Sequence, residues 1–169
     1  MKWVLFSIAA LVLLVGAMAI VGAMLPRGHR ATRRARFKQT PEAIYAAISG
    51  PPEWRSDLKN FGALPNKDGR KQWWEEAQGQ KITYELVEDT PPARRVTRIA
   101  DKNLPFSGTW TLEIARESDA TALRITEEGE VYNVIFRFMS RFIFGQTGTM
   151  ERYLKDLGKK FGETVTIEA

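Results

Sequence analysis

Cysteine is missing from this sequence, and histidine occurs once, as His29. Together these absences exclude a disulfide scaffold, a Cys or Cys/His zinc site, a nucleophilic cysteine and a Ser-His-Asp triad deep in a fold. No Asn-x-Ser/Thr sequon, internal repeat or low-complexity tract occurs. Gly145-Gln-Thr-Gly148 lacks the Gly-Lys-Ser/Thr that a phosphate-cradling loop requires, so its expected role is structural. With 169 residues, 44% hydrophobic and 27% charged, the chain has enough material for one ordinary globular domain and not for two.

Charge is equally lacking from residues 3–25, an apolar run in which Ser7 is the one polar side chain. As a helix the run would be about 34 Å long, against a hydrocarbon core of roughly 30 Å, so it can span a bilayer. Ala17-Met18-Ala19 offers a rival reading as a signal-peptidase site, but cleavage there would leave Ile20–Leu25 as an apolar tail. The expectation is therefore a single-pass membrane protein, of the inner membrane if the source is bacterial, with residues 1–26 as the anchor. Residues 27–38 follow with six cations and no acid: Arg27, Arg30, Arg33, Arg34, Arg36 and Lys38. Positive charge beside a span favours the cytoplasmic side and anionic headgroups. Arg34, Arg36 and Lys38 can equally form the solvent face of a first strand. Setting these six and Lys2 aside leaves 18 cations against 20 acids over residues 39–169, a net of −2, so a nucleic-acid partner is not expected.

Alternation over residues 31–38 predicts a strand, and 27–38 reads as a basic juxtamembrane arm running into it. Thr40-Pro41-Glu42 supplies a cap, a first-turn proline and an acid, which opens a helix that Gly50-Pro51-Pro52 closes; residues 53–58 read as a second short helix. Between Phe61 and Tyr132 turn residues recur at short intervals. Ile82, Tyr84 and Leu86 share one face, as do Trp110, Leu112 and Ile114, and then Leu123, Ile125, Glu127 and Val131. Six antiparallel strands are expected there. The period changes over 133–163, where Val134, Phe138, Phe142, Leu154, Leu157 and Phe161 recur at helical spacing, with Gly145 and Gly148 as a kink. The expected fold is α+β: a helix-grip fold in which a curved seven-stranded antiparallel sheet, with two short helices, holds a long C-terminal helix, all preceded by one transmembrane helix.

The stretches TPEAIYAAISGPPEW, RIADKNLPFSGTWTLEI and LRITEEGEV, in this order, resemble the START-like superfamily, also called Bet v 1-like or SRPBCC, in its polyketide cyclase/dehydrase and lipid transport branch. The resemblance spans residues 31–163, leaving 164–169 as a tail; the membrane helix is a departure from it. It implies an elongated apolar cavity between sheet and helix, which relatives use for lipids, sterols, quinones or polyketide intermediates. Trp54, Trp73, Trp74, Tyr84, Trp110, Leu112, Ile125, Phe138 and Phe142 are candidates to line it, although a packed core needs such side chains too. Glu127 shares the inward parity of Ile125, and a carboxylate in an apolar cavity needs a partner, for which Arg98 is the candidate. A bulge would instead turn Glu127 outward.

Three functions remain. A membrane-tethered module binding a hydrophobic small molecule is the leading reading, without catalytic residues, metal or cofactor. A cyclase- or dehydratase-like enzyme would use Glu127, Tyr84 or Arg98. An interaction scaffold would have a filled interior.

Overall fold

The computed structural model describes residues 2–77 and 79–169. Helix α1 (Lys2–Met24) carries the apolar run, and its side chains stay exposed apart from one face near its C-terminus, where Gly22 is buried. It is long and apolar enough to cross a membrane. Strand β1 (Gly28–Phe37) starts three residues earlier than the alternation suggested, so nearly the whole basic arm is sheet.

Helix α2 (Pro41–Ser49) has the predicted bounds: the Thr40 hydroxyl accepts from the Ala43 N–H at 3.2 Å, and the Gly50 N–H closes on the Ala46 carbonyl. The expected second short helix is replaced by turns over residues 53–57. Here tertiary partners outcompete a local helix: Ser56 donates its N–H and hydroxyl to Asp156, and Arg55 grips Asp57 and Glu75.

Strands β2 (Leu58–Lys67), β3 (Arg70–Ala77), β4 (Gln80–Thr90), β5 (Arg94–Ile99), β6 (Phe106–Glu117) and β7 (Ala120–Val131) form an antiparallel meander, and β1 closes on β7. Between β2 and β3, Asp68 and Gly69 both take positive φ (50° and 73°), as a two-residue hairpin requires. The seven long strands are those expected. An eighth, β8 (Ile167–Glu168), pairs with β1 at the edge of the sheet, so part of the presumed tail belongs to the fold. Two residues are too few for a period, and Glu168 is drawn there by Arg34 and Arg36.

The long C-terminal helix is divided. Asn133 caps α3 (Val134–Met139), a π-helical turn follows over Ser140–Phe144, and Gly145 at φ 74° breaks the chain before α4 (Gly148–Lys160). Only α4 lies in the grip of the sheet, where Met150, Leu154 and Leu157 pack with Ala35, Phe37, Ile44, Leu123 and Ile125 in a dry core. α3 packs against α1 instead. Arg33, on the inner face of β1, reaches Glu151 of α4 at 2.9 Å, while Arg34 and Arg36 share Glu117 and Glu168 on the outer face. With Arg30 3.7 Å from Glu128, four of the six cations of the basic cluster are thus paired within the domain.

Candidate functional site

Beyond the dry core, the space between sheet and helices opens into a cavity of about 1100 Å³. Its walls come from β2 to β7, with His29 of β1, from the end of α2 and the 49–57 turns, from α4 and from the α3–π segment. Aromatic rings dominate. Trp73 stacks on Tyr84 with centroids 5.9 Å apart, and Tyr153 of α4 meets Trp54 and Trp110 in T-shaped contacts at 4.9 and 5.7 Å.

Polar groups gather in two places. At one, Arg55 bonds Asp57 and Glu75, each at 2.7 Å, its guanidinium 5.4 Å from the Tyr153 ring centre, and the Trp73 indole donates to Glu75 at 2.9 Å. Burial works against the Arg55 charge, but the two carboxylates outweigh it and raise its pKa. Burial likewise pushes the Tyr84 and Tyr153 hydroxyls above the ordinary phenol range, so both remain donors. Neither hydroxyl has a hydrogen-bond partner among the described residues, where every buried side-chain nitrogen and oxygen is satisfied. Both hydroxyls therefore reach the cavity surface.

At the second place Glu127 points inward. The β6–β7 register runs unbroken through it, so no bulge turns it out. Its carboxylate accepts from the Trp110 indole N–H at 2.8 Å, and His29 Nε2 lies 3.2 Å from its other oxygen. His29, which precedes the strand expected over 31–38, is brought here by the early start of β1. Gly129 makes room for it, since a Cβ there would stand 2.3 Å from the imidazole.

Trp73, Tyr84, Trp110, Leu112 and Glu127 therefore line one cavity together with Trp54. The other candidates lie elsewhere. Arg98 is on the outer face, bonded to Glu85, in a shallow surface depression with Arg30 and Glu128. Its bond holds the Glu85 carboxyl below the usual range. β5 has the phase set by Ile99, so the inward arginine is Arg95, paired with Asp89 at 3.2 Å. Ile125 is fully buried in the dry core. Trp74 faces outward over Gly62 beneath the Lys81 ammonium. Phe138 packs beside Gly22 of α1, and Phe142 is exposed. Tyr153 went unrecognised although it follows Met150 by three residues on the buried face of α4; that spacing was the available signal. Arg55, Asp57 and Glu75 had none, because their union is purely tertiary. Among the described residues no three potential ligands converge on a metal position.

A sheet wrapped on a C-terminal helix over an internal cavity defines the helix-grip, Bet v 1-like fold. Solved structures agree. Norcoclaurine synthase from Thalictrum flavum superposes with a TM-score of 0.62 at 11% identity, over 80% of this chain and 87% of that one. The di-domain ARO/CYC protein StfQ of the steffimycin biosynthetic pathway gives 0.62 at 8% identity, over 80% of this chain and 52% of its own length. The same synthase in complex with dopamine and hydroxybenzaldehyde gives 0.60 at 10% identity, over 79% and 86%. No protein-family model and no curated protein matches the sequence.

Proposed function

We propose that the protein is a membrane-tethered binding module that takes a hydrophobic small molecule (lipid, quinone or polyketide-like) into the cavity, in the manner of the polyketide cyclase/dehydrase and lipid transport branch. The observation that carries this reading is the cavity itself: about 1100 Å³, lined by Trp54, Trp73, Tyr84, Trp110 and Tyr153, with the buried Arg55 charge paired to Asp57 and Glu75. A small-molecule partner is also what the synthase of the same fold binds. Tyr84 and Tyr153 would donate to a carbonyl or hydroxyl on the ligand, and Glu127 would accept from a polar hydrogen. α1 would hold the domain at the cytoplasmic face of the bilayer, raising the local concentration of a lipid-soluble ligand.

Native mass spectrometry of the full chain released from detergent tests this directly. A bound apolar molecule is expected, displaced by a fluorescent fatty acid or quinone analogue. An empty protein that takes up neither analogue overturns the proposal. A second reading rests on the Glu127–His29 pair, which places a potential acid and base inside the cavity. Glu127→Gln separates the two: a binding module keeps its apolar cargo, whereas a cyclase- or dehydratase-like enzyme binds but no longer converts it.

A further inference from the structure

The joint between α1 and the domain is bolted. Arg137 of α3 is 6% exposed, yet its hydrogen bonds all go to backbone carbonyls. Its Nε donates to Val131 at 3.0 Å, one terminal nitrogen to Gly22 and Leu25 at 3.1 Å each, and the other to Tyr132 at 3.3 Å. One guanidinium thus joins the end of β7 to the C-terminus of α1. The last carbonyls of a helix lack partners within it, and they form the negative end of its dipole, so a buried cation suits this position. On the same side Gly22 meets α3 so closely that a Cβ would stand 2.0 Å from the Val134 carbonyl oxygen.

This contact fixes a depth. If α1 spans the bilayer, Gly22 lies three residues from the end of the apolar run, about 5 Å along the axis, at the boundary between acyl chains and headgroups. Phe138 touches Gly22, and its ring lies 5.0 Å from that of Phe142, which continues the apolar surface away from α1. Outside α1, the large apolar side chains left exposed among the described residues are Val87, Tyr132, Ile135, Phe142 and Ile143. Three of these five, Ile135, Phe142 and Ile143, fall in the α3–π segment, whose α3 part packs on α1, and Tyr132 lies just before it. Arg141 is exposed among them, and Arg27 follows α1 with no acid partner among the described residues, as suits a headgroup layer. The same segment has a second face, because Phe136, Ser140 and Ile143 line the cavity.

We propose that the α3–π segment, locked to the last turns of α1 by Arg137, is an interfacial lip seated in the bilayer, past which the cavity opens toward the acyl chains. The inference rests on α1 spanning the membrane. The partner is a lipid surface, continuous with the one that holds α1.

The absence of native cysteine permits single-site labelling. The full chain is reconstituted in phosphatidylcholine/phosphatidylglycerol vesicles with an environment-sensitive fluorophore at Phe142→Cys, Ile143→Cys, Val12→Cys or Val87→Cys, and quenching by lipids brominated on the acyl chain is read. Probes at 12, 142 and 143 are expected to be quenched and the probe at 87 to be untouched. Adding Arg137→Gln should abolish quenching at 142 and 143 while leaving it at 12. Quenching at 12 alone, or persistence at 142 and 143 in Arg137→Gln, overturns the lip and leaves the anchor standing. No quenching at 12 overturns the anchor, and the lip with it. A probe at 142 that is shielded from water yet not quenched places a second copy of the chain there, which also overturns the proposal.

Discussion

The inner face of the sheet is covered in two different ways along its length. Toward Leu123 and Ile125 it meets Met150, Leu154 and Leu157 of α4, and nothing but side chains fills the gap. Toward Glu127 and Val131 the same strand faces open space. The inward alternation does not change between the two ends, so the strand does not decide which is solid. What changes is the cover. Gly145 ends the helical run, and the chain on its other side, α3, packs on α1 rather than descending into the sheet. The hollow is what a helix diverted to another partner leaves behind.

Substitutions at the two ends should therefore behave oppositely. Leu154→Ala removes a fully buried side chain from the solid end. Denaturant unfolding of the full chain in detergent, followed by near-ultraviolet circular dichroism, should report a loss of about 2–5 kcal/mol. A loss below 1 kcal/mol would mean that this end is not packed as described.

Asp156 comes next, at 2% exposure and bonded to the Ser56 N–H and hydroxyl and to Lys159. Asp156→Asn should cost about 1–3 kcal/mol near neutral pH, because hydrogen bonds to a buried charge are lost. Burial alone would raise the Asp156 pKa, but Ser56 and Lys159 outweigh it and hold the carboxyl below its usual range. A group depressed on folding stabilises fully above its unfolded pKa, near 4, and that contribution disappears as the pH falls through the lower folded value. The parent should thus lose stability on acidification over this window more steeply than Asp156→Asn; parallel curves would refute the assignment.

Ile125→Trp overfills the solid end and should cost about 1–3 kcal/mol, with any binding of an apolar probe lost only to the extent that the fold is lost. Thr97→Trp, projecting from β5 into the hollow end, should shift the unfolding midpoint least of the four, by less than about 1 kcal/mol, because space is available. It should nevertheless abolish binding of a fluorescent fatty acid. If Thr97→Trp unfolds the domain while Ile125→Trp is tolerated, the two ends have been assigned the wrong way round.

Much of this was legible in the residues alone. The uncharged run of α1, the Thr40 and Gly50 limits of α2 and the inward row of Trp110, Leu112, Ile125 and Glu127 all follow from local patterns: composition, capping chemistry and a period of two. Such patterns establish which face of an element is apolar. They are silent on what lies opposite, and there the tertiary structure decided. Ile125 and Glu127 share a parity, but a helix seals one and leaves the other beside open space. Glu127 pairs with His29 and Trp110 rather than Arg98, because strand register selects neighbours distant in sequence. Along β5 Val96 and Ile99 imply opposite phases, so Arg98 could face either way, and only hydrogen bonding to β4 and β6 settled it. Phe138 and Phe142 carry a faultless helical spacing, yet face α1 and the exterior, since periodicity cannot tell a helix gripped by a sheet from one packed on another helix. Local free energy selects the elements and their apolar faces. The solid end, the hollow end and the joint to α1 arise from long-range packing, in which each face takes the partner that the chain's connectivity brings within reach.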